Sequence, residues 1–327
     1  MTPRGDLDVS QPVVSAGAVV RPWLDRLRHL EDVDGPVVVA CSGGPDSLAL
    51  LALAVATDLD PIAVHVDHGL RAGSDRESAV VASAAARLGA RFHAERVTVD
   101  PGPNLEARAR DARYDALERA RARLGATAVL VGHTADDQAE TVLLNLLRGG
   151  ALAGLGGMPP RRGHLVRPLL GLRRADTSEV CVALGLTPVD DPMNADPTFR
   201  RVWLRREILP ALERGAGRDL VPVLARQADV LRAESDFLDE LARAAWPPPP
   251  DRGDDGSAPA APLVAMPGVL ARRAVRCWLG PPPPSFDEVE RVLTVARGSA
   301  RATEIAGGRR VRRSGGRLAV ESSARGR

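Results

Sequence analysis

A strand-like apolar run, followed at once by a double-glycine turn and a long apolar helix, most narrows what this chain can fold into. Val37-Val38-Val39-Ala40 has the unbroken apolar character of a strand covered on both faces, and Ser47 to Ala56 reads as a helix. Between them stands Ser42-Gly43-Gly44-Pro45-Asp46-Ser47. Two glycines let the main chain curl so that several amide N–H groups face one point, and the helix start adds its positive dipole end. Ser42 and Ser47 add hydroxyl donors, completing an anion cradle that needs no lysine. Asp46 would repel a phosphate held there unless a cation lay between them, so it is the candidate Mg2+ ligand. The plainer reading of Asp46, a helix cap, accounts for neither the paired glycines nor the strand upstream.

Lysine matters here because the chain contains none: all 44 of its basic side chains are arginine. Walker-type phosphate loops, ligases that carry AMP on a lysine, and Schiff-base enzymes are therefore excluded. Cys41, Cys181 and Cys277 are scattered and form no Cys-x-x-Cys pair, which argues against a disulfide framework, a zinc ribbon or a locally held iron–sulfur cluster. His65 and His68 flank Asp67, but no cysteine or third histidine stands at zinc-ligand spacing. No apolar run reaches about 18 residues, so no membrane span is expected. Asp6 and Asp8 replace the basic start of an export signal, and the expected compartment is the cytoplasm.

Further along, strand-like and helix-like segments alternate: Ile62–Val66, Glu77–Leu88, Phe92–Val99, Leu105–Leu124, Ala128–Val131 and Asp136–Leu147. This alternation predicts an α/β fold, a parallel sheet sandwiched by helices. Upstream, one helix is expected around Leu24 to Leu30. Downstream, helices are expected at Arg173–Leu184, Phe199–Leu212, Leu220–Ala245, Leu270–Leu279 and Phe286–Arg297. A hairpin should follow, turning at Gly315-Gly316. The expected organisation is an N-terminal extension with a helix (1–35), a nucleotide domain (36–212), a helical connector (213–245), a Pro-rich linker that does not pack (246–262), and a smaller, mainly helical C-terminal domain (263–327). Eight arginines against two glutamates from Arg301 onward suit a polyanion, although a solvated tail has the same composition.

The hexapeptide at 42–47 resembles the pyrophosphate loop of the N-type ATP pyrophosphatases, the PP-loop superfamily. Its members share a Rossmann-like, adenine nucleotide α-hydrolase-like fold, cleave ATP between the α and β phosphates, and pass AMP to an oxygen of the substrate. Four more stretches narrow the resemblance: Val66-Asp67-His68-Gly69-Leu70-Arg71, Ala109 to Tyr114, the ten residues Gly132 to Thr141, and Arg148-Gly149 through Gly157-Met158. In this order and spacing, over residues 36 to 210, they resemble the tRNA(Ile)-lysidine synthetase family. Arg167-Pro168-Leu169-Leu170, and Asp191-Pro192 with Asn194, fit the same family. Ala151, Met193 and Val202 depart from its pattern.

The resemblance implies a ligase that binds ATP with Mg2+ through Ser42, Gly43, Gly44, Pro45, Asp46 and Ser47. Its partners would be free lysine and a tRNA(Ile) bearing a CAU anticodon, and a homodimer is an open alternative to a monomer. Arg113 would neutralise charge on the transferring phosphate, and His133 would stabilise phosphate or adenylate. Asp137 and Glu140 share a helix face and, with Asp136, would hold the lysine ammonium, accept its proton or bind Mg2+. Without the family, the same residues read as a Thr134/Asp137 helix cap and Glu140 as a solvated acid. Arg201 and Arg205, one turn apart, are candidates for substrate phosphate contacts. Aromatic residues make up only 3%, so Tyr114, Phe199 and Trp203 are the few candidates for base stacking, and core packing suits each as well. The rivals are another tRNA-modifying PP-loop enzyme such as a thiolase, which would want paired cysteines, and a non-catalytic nucleotide- or RNA-binding protein.

Overall fold

The computed structural model describes residues 16–67, 74–99, 102, 105–189, 200–246 and 257–322. The chain divides into two compact units, Met1–Asp229 and Val230–Arg327. That division lies beyond the boundary expected at residue 212, within a long helix.

The first unit runs α1 (Ala16–Leu24), β1 (Pro36–Ala40), α2 (Pro45–Val55), β2 (Asp60–Asp67), α3 (Ser74–Leu88), β3 (Arg91–Arg96), α4 (Leu105–Arg123) and β4 (Ala128–Leu130). It continues through α5 (Ala135–Leu147), α6 (Leu152–Leu155), β5 (Arg161–Arg162), β6 (Leu165–Val166), α7 (Arg174–Ala183), α8 (Arg200–Trp203) and α9 (Leu209–Ala216) into α10 (Val221–Ala245). The sheet order is β3-β2-β1-β4-β6-β5, parallel except for β5. Alternate residues of β1 serve opposite layers. Val37 and Val39 pack with Leu48, Leu51 and Val180 on one side, while Val38 packs with Ile62, Val64 and Leu117 on the other. Both faces are thus covered, which is why the run carries no polar residue. Helix α2 lies within the first layer, so Ser47 through Ala54 are all buried.

The helix expected at Leu24–Leu30 is not formed; α1 ends at Leu24. Trp23, Leu24, Leu27 and Leu30 have helical spacing and do pack on the core, but as a turn. The amides of Arg26 and Leu27 bond three residues back, and that of Arg28 bonds Pro168 O across the chain. Pro22, which has no N–H, stands just before the break.

Beyond the division, α10 is followed by β7 (Ala258–Pro259), α11 (Ala260–Ala265), α12 (Gly268–Leu279), α13 (Phe286–Ala296), β8 (Ala302–Ile305), β9 (Arg309–Ser314) and β10 (Arg317–Ser322). The strands form an antiparallel sheet in the order β7-β10-β9-β8, an addition to the helices expected there. The β9–β10 hairpin turns at Gly315 and Gly316, both at positive φ as a two-residue turn requires. Trp246, Ala258 and Ala260, expected to be part of an unpacked linker over 246–262, pack into the core of this unit. Trp246 is 1% exposed, and its indole N–H donates to Pro259 O at 2.7 Å. Ala258, Ala260 and Leu263 join the same core as Trp278. Pro259 sits in an edge strand where its missing N–H costs nothing. Residues 247–256 lie outside the described residues. Among the described residues, no helix is long and apolar enough to cross a membrane.

Candidate active site

In the first sheet, β1 has β2 on one side and β4 on the other, so the chain reverses direction across the sheet between β1 and β4. The carboxyl ends of such a strand pair open the crevice where α/β sheets bind ligands. The turn at 42–47 leaves β1, and Gly132-His133-Thr134 leaves β4. The two segments touch: a Cβ added at Gly132 would stand 3.0 Å from the Asp46 carbonyl oxygen and 3.3 Å from the Ser47 amide. Gly132 is glycine for that close approach.

Within the turn, Gly43 has φ +87°, and Val189 N donates to its carbonyl at 2.9 Å. The Ser47 hydroxyl accepts from Ser42 N at 3.2 Å and donates to Gly44 O at 2.9 Å. Gly44 N lies 3.5 Å from the Ser42 hydroxyl. The Ser42 and Gly44 amides are thus held by hydroxyls rather than by carbonyls. Gly44 is the extended cap of α2, Pro45 its first residue, and Asp46 lies in its first turn.

Three helix starts meet here, those of α2, α5 and α7. Asp46 accepts the Thr177 hydroxyl on one oxygen, and its other oxygen lies 3.9 Å from Arg174 Nε. Burial pushes the Asp46 carboxyl up to about 6, against the pull of Thr177. Asp137 accepts the Thr134 amide at 2.8 Å and hydroxyl at 3.0 Å, and its other oxygen takes Arg174 NH2 at 3.0 Å. Burial raises this acid, but Arg174 and Thr134 outweigh it and hold the carboxyl below the usual range. Asp136 faces elsewhere, accepting the Arg173 guanidinium at 3.1 and 3.2 Å and the Arg174 amide at 2.8 Å.

Glu140 is not the solvated acid of the plainer reading. It is 1% exposed, takes Arg205 Nε at 2.8 Å and Arg174 NH2 at 3.4 Å, and lies 3.6 Å from Arg201 NH1. Arg201 and Arg205 are therefore already paired to a buried carboxylate. Arg205 lies in a π-helical turn, Leu204–Ile208, which precedes Pro210, a residue with no amide to give the helix ladder.

His133 faces a basic surround. Burial, with Arg167, Arg110 and Arg113 adding to it against Asp137, pushes the imidazole down to about 3, so it is neutral at physiological pH. Its buried Nδ1 has no hydrogen-bond partner among the described residues. The Arg110 and Arg113 guanidiniums lie 5.6 and 5.5 Å from the Tyr114 ring centre. Arg167 is 5% exposed and donates NH1 to Pro159 O at 2.6 Å.

Arg174 and Thr177 are site residues that sequence reasoning missed. A signal was present, since Arg173-Arg174 places two cations at the positive end of a helix, where only nearby acids stabilise them. His65 Nδ1 bonds Cys41 O at 2.9 Å within the sheet. His68 to Arg71, Asp191 to Asn194 and Phe199 lie outside the described residues. Ala151 caps α6 at φ −80°, a conformation open to any residue, whereas a Cβ at Gly150 would meet Asn145 O at 2.7 Å. Cys41 and Cys181 are buried and pushed up to about 12 and 11, so neither is a thiolate at neutral pH.

A family model described as a PP-loop domain matches residues 24–212. The tRNA(Ile)-lysidine synthase of Salinispora arenicola is 45% identical over 95% of this chain and 97% of its own length. The chain belongs to the tRNA(Ile)-lysidine synthase family. The synthase of Nocardia farcinica is 47% identical over 80% of each chain, and that of Streptomyces coelicolor 42% identical over 87% of this chain and 84% of its own. Among solved structures, the U34-tRNA thiolase NcsA of Methanococcus maripaludis superposes with a TM-score of 0.50 at 18% identity, covering 67% of this chain and 77% of that one. That likeness shows the fold. ATP use is consistent with membership of this family.

Proposed function

We propose that this protein uses ATP to join free L-lysine to carbon two of the wobble cytidine in a tRNA(Ile) with a CAU anticodon, changing its codon specificity from AUG to AUA. The cytidine carbonyl oxygen attacks the α-phosphate and pyrophosphate leaves. The ε-amino group of lysine then forms a bond to carbon two, and AMP departs with that oxygen. The reading is carried by one observation: the double-glycine turn after β1 abuts, through Gly132, the helix that bears Asp137 and Glu140.

Each side chain then has a physical task. The Ser42 and Gly44 amides, held only by hydroxyls, are free to exchange them for phosphate oxygens. Arg113 offsets charge on the α-phosphate, and neutral His133 serves as a hydrogen-bonding group beside it. The lysine amine has an intrinsic pKa near ~10.4 and arrives protonated, so a carboxylate must take its proton before attack; Asp137 and Glu140 are the candidates. Asp136 orients Arg173 and the start of α7. Arg201 and Arg205, besides holding Glu140, are the candidates for contact with RNA phosphates. Asp46 suits Mg2+ as a single carboxylate ligand, with phosphate oxygens and water supplying the rest, as is usual for this ion. The reading places the protein in the cytoplasm, as a monomer or a homodimer. The inert thiols disfavour a sulfur-transfer alternative.

The deciding assay incubates the purified protein with ATP, labelled lysine and a CAU-anticodon tRNA(Ile). Label in RNA, with one AMP per lysine, is the expected result. AMP formation without label in RNA would assign the protein another modification.

A further inference from the structure

Among the described residues, Arg174 is the one group shared by three carboxylates of the site. It lies 3.0 Å from Asp137 Oδ1, 3.4 Å from Glu140 Oε1 and 3.9 Å from Asp46 Oδ2. Each acid has another partner without it: Thr134 for Asp137, Arg205 and Arg201 for Glu140, Thr177 for Asp46. As the first residue of α7, Arg174 sits at a helix end that repels cations, so the carboxylates are what hold it. The bond from its own amide to Asp136 fixes the main chain while leaving the guanidinium on a flexible stem, 26% exposed. A guanidinium and an alkylammonium are both monovalent cations, and one carboxylate pair does not seat both in the same place.

We propose that Arg174 is a resident counter-cation: without nucleotide it occupies the amine subsite between Asp137 and Glu140, and nucleotide phosphate draws it away so that lysine binds second. This rests on the proposed lysine-transfer reading. Asp46, two residues past the Gly44 amide, is the most distant of the three acids, so the Arg174 guanidinium spans from the Asp137–Glu140 pair toward the phosphate turn. A bound phosphate therefore presents new negative charge within one side-chain rotation. The coupling makes binding ordered, since a ligand that favours the displaced state raises the apparent affinity of the next.

The test measures L-lysine binding calorimetrically to the full chain, with and without α,β-methylene ATP, for wild type and Arg174→Met. The wild type should bind lysine at least about ten-fold more tightly with nucleotide. In Arg174→Met the two affinities should converge, while Arg174→Lys, which restores a monocation, should recover part of the difference. Wild-type affinity indifferent to nucleotide, or a full ten-fold effect surviving in Arg174→Met, overturns the proposal. The wild-type arm decides even if Arg174→Met does not fold. Should the wild type bind no lysine at all, the lysine-transfer reading fails, and Mn2+ titration of the nucleotide-free proteins, followed by loss of the free-ion EPR signal, judges Arg174 by itself. Mn2+ binding several-fold tighter in Arg174→Met supports a counter-cation there, and equal binding overturns it.

Discussion

A single hydrogen at position 132 sets how near the β4 loop comes to the start of α2. Gly132→Ala must push against the Asp46 carbonyl, which is main chain and cannot swing aside. Overpacking of this kind costs about 1–3 kcal/mol, while an ångström of misplacement at a reacting centre costs roughly 100-fold in rate. Pyrophosphate release should therefore fall by at least about ten-fold with a melting temperature only a few degrees lower. Asp46 gives a second residue-level prediction. Its carboxyl is raised to about 6, so its contribution to stability is fully present below the ordinary carboxylate range and is lost as pH rises through about 6. Under the proposed Mg2+ role, activity runs the opposite way, because the ionised form is the one that would hold the cation. Pyrophosphate release should thus drop as pH falls through about 6, and Thr177→Val, which removes a bond that lowers the pKa, should move that limb upward. Neutral His133 should add no limb between pH 5 and 8. Asp46, Asp137 and Glu140 were legible in the chain because each belongs to a local motif. Thr177 was not, because its bond to Asp46 spans 131 residues and no local pattern encodes it.

Helices α5, α7 and the π-helical turn around Arg205 are held together by one buried carboxylate. Removing one partner of a buried ion pair typically costs about 3–5 kcal/mol, because the remaining charges are stranded. Glu140→Ala should fall in that range by urea denaturation, with Glu140→Gln less harmful because the amide oxygen still accepts from Arg205. A loss below about 1 kcal/mol for the alanine variant would contradict the pairing. Long elements such as α5 and α10 were readable because period and length agree over several turns, and α4 because 19 residues of helix-forming composition run unbroken. The two-residue strands β5, β6 and β7 were not, because pairing with a distant strand creates them and so short a run has no period of its own. The false helix at Leu24–Leu30 is the converse case, in which helical spacing of leucines serves a turn whose amide at Arg28 bonds Pro168.

For the molecule as a whole, the arginines after residue 300 do more inside their unit than composition suggested. Arg309 donates to three carbonyls, of Leu279, Pro282 and Ala306, and Arg317 of β10 holds Ser257, the residue just before the edge strand β7. Arg312 and Arg310, by contrast, sit half-exposed opposite Glu321 and Glu304. Arg309→Ala should lower stability by about 1 kcal/mol, since of its three acceptors only Leu279 O belongs to a buried residue, while Pro282 and Ala306 are exposed. Arg312→Ala should change stability by less than about 1 kcal/mol and shift the salt dependence of tRNA binding by no more than about one phosphate contact. The α/β sandwich was legible from alternation alone. The C-terminal sheet was only half visible: the Gly315-Gly316 hairpin was read, the second glycine pair, Gly307-Gly308, which turns β8 into β9, was not, and the two-residue β7 has no period of its own.

The Trp246–Trp278 pair has a use beyond packing. The two rings lie 5.3 Å apart and tilted by 59°, close enough for their electronic transitions to mix. The chain has four tryptophans, and the other two, Trp23 and Trp203, lie in the first unit. Loss of the paired near-ultraviolet dichroism therefore times the melting of the C-terminal half, giving each half of the chain its own optical clock.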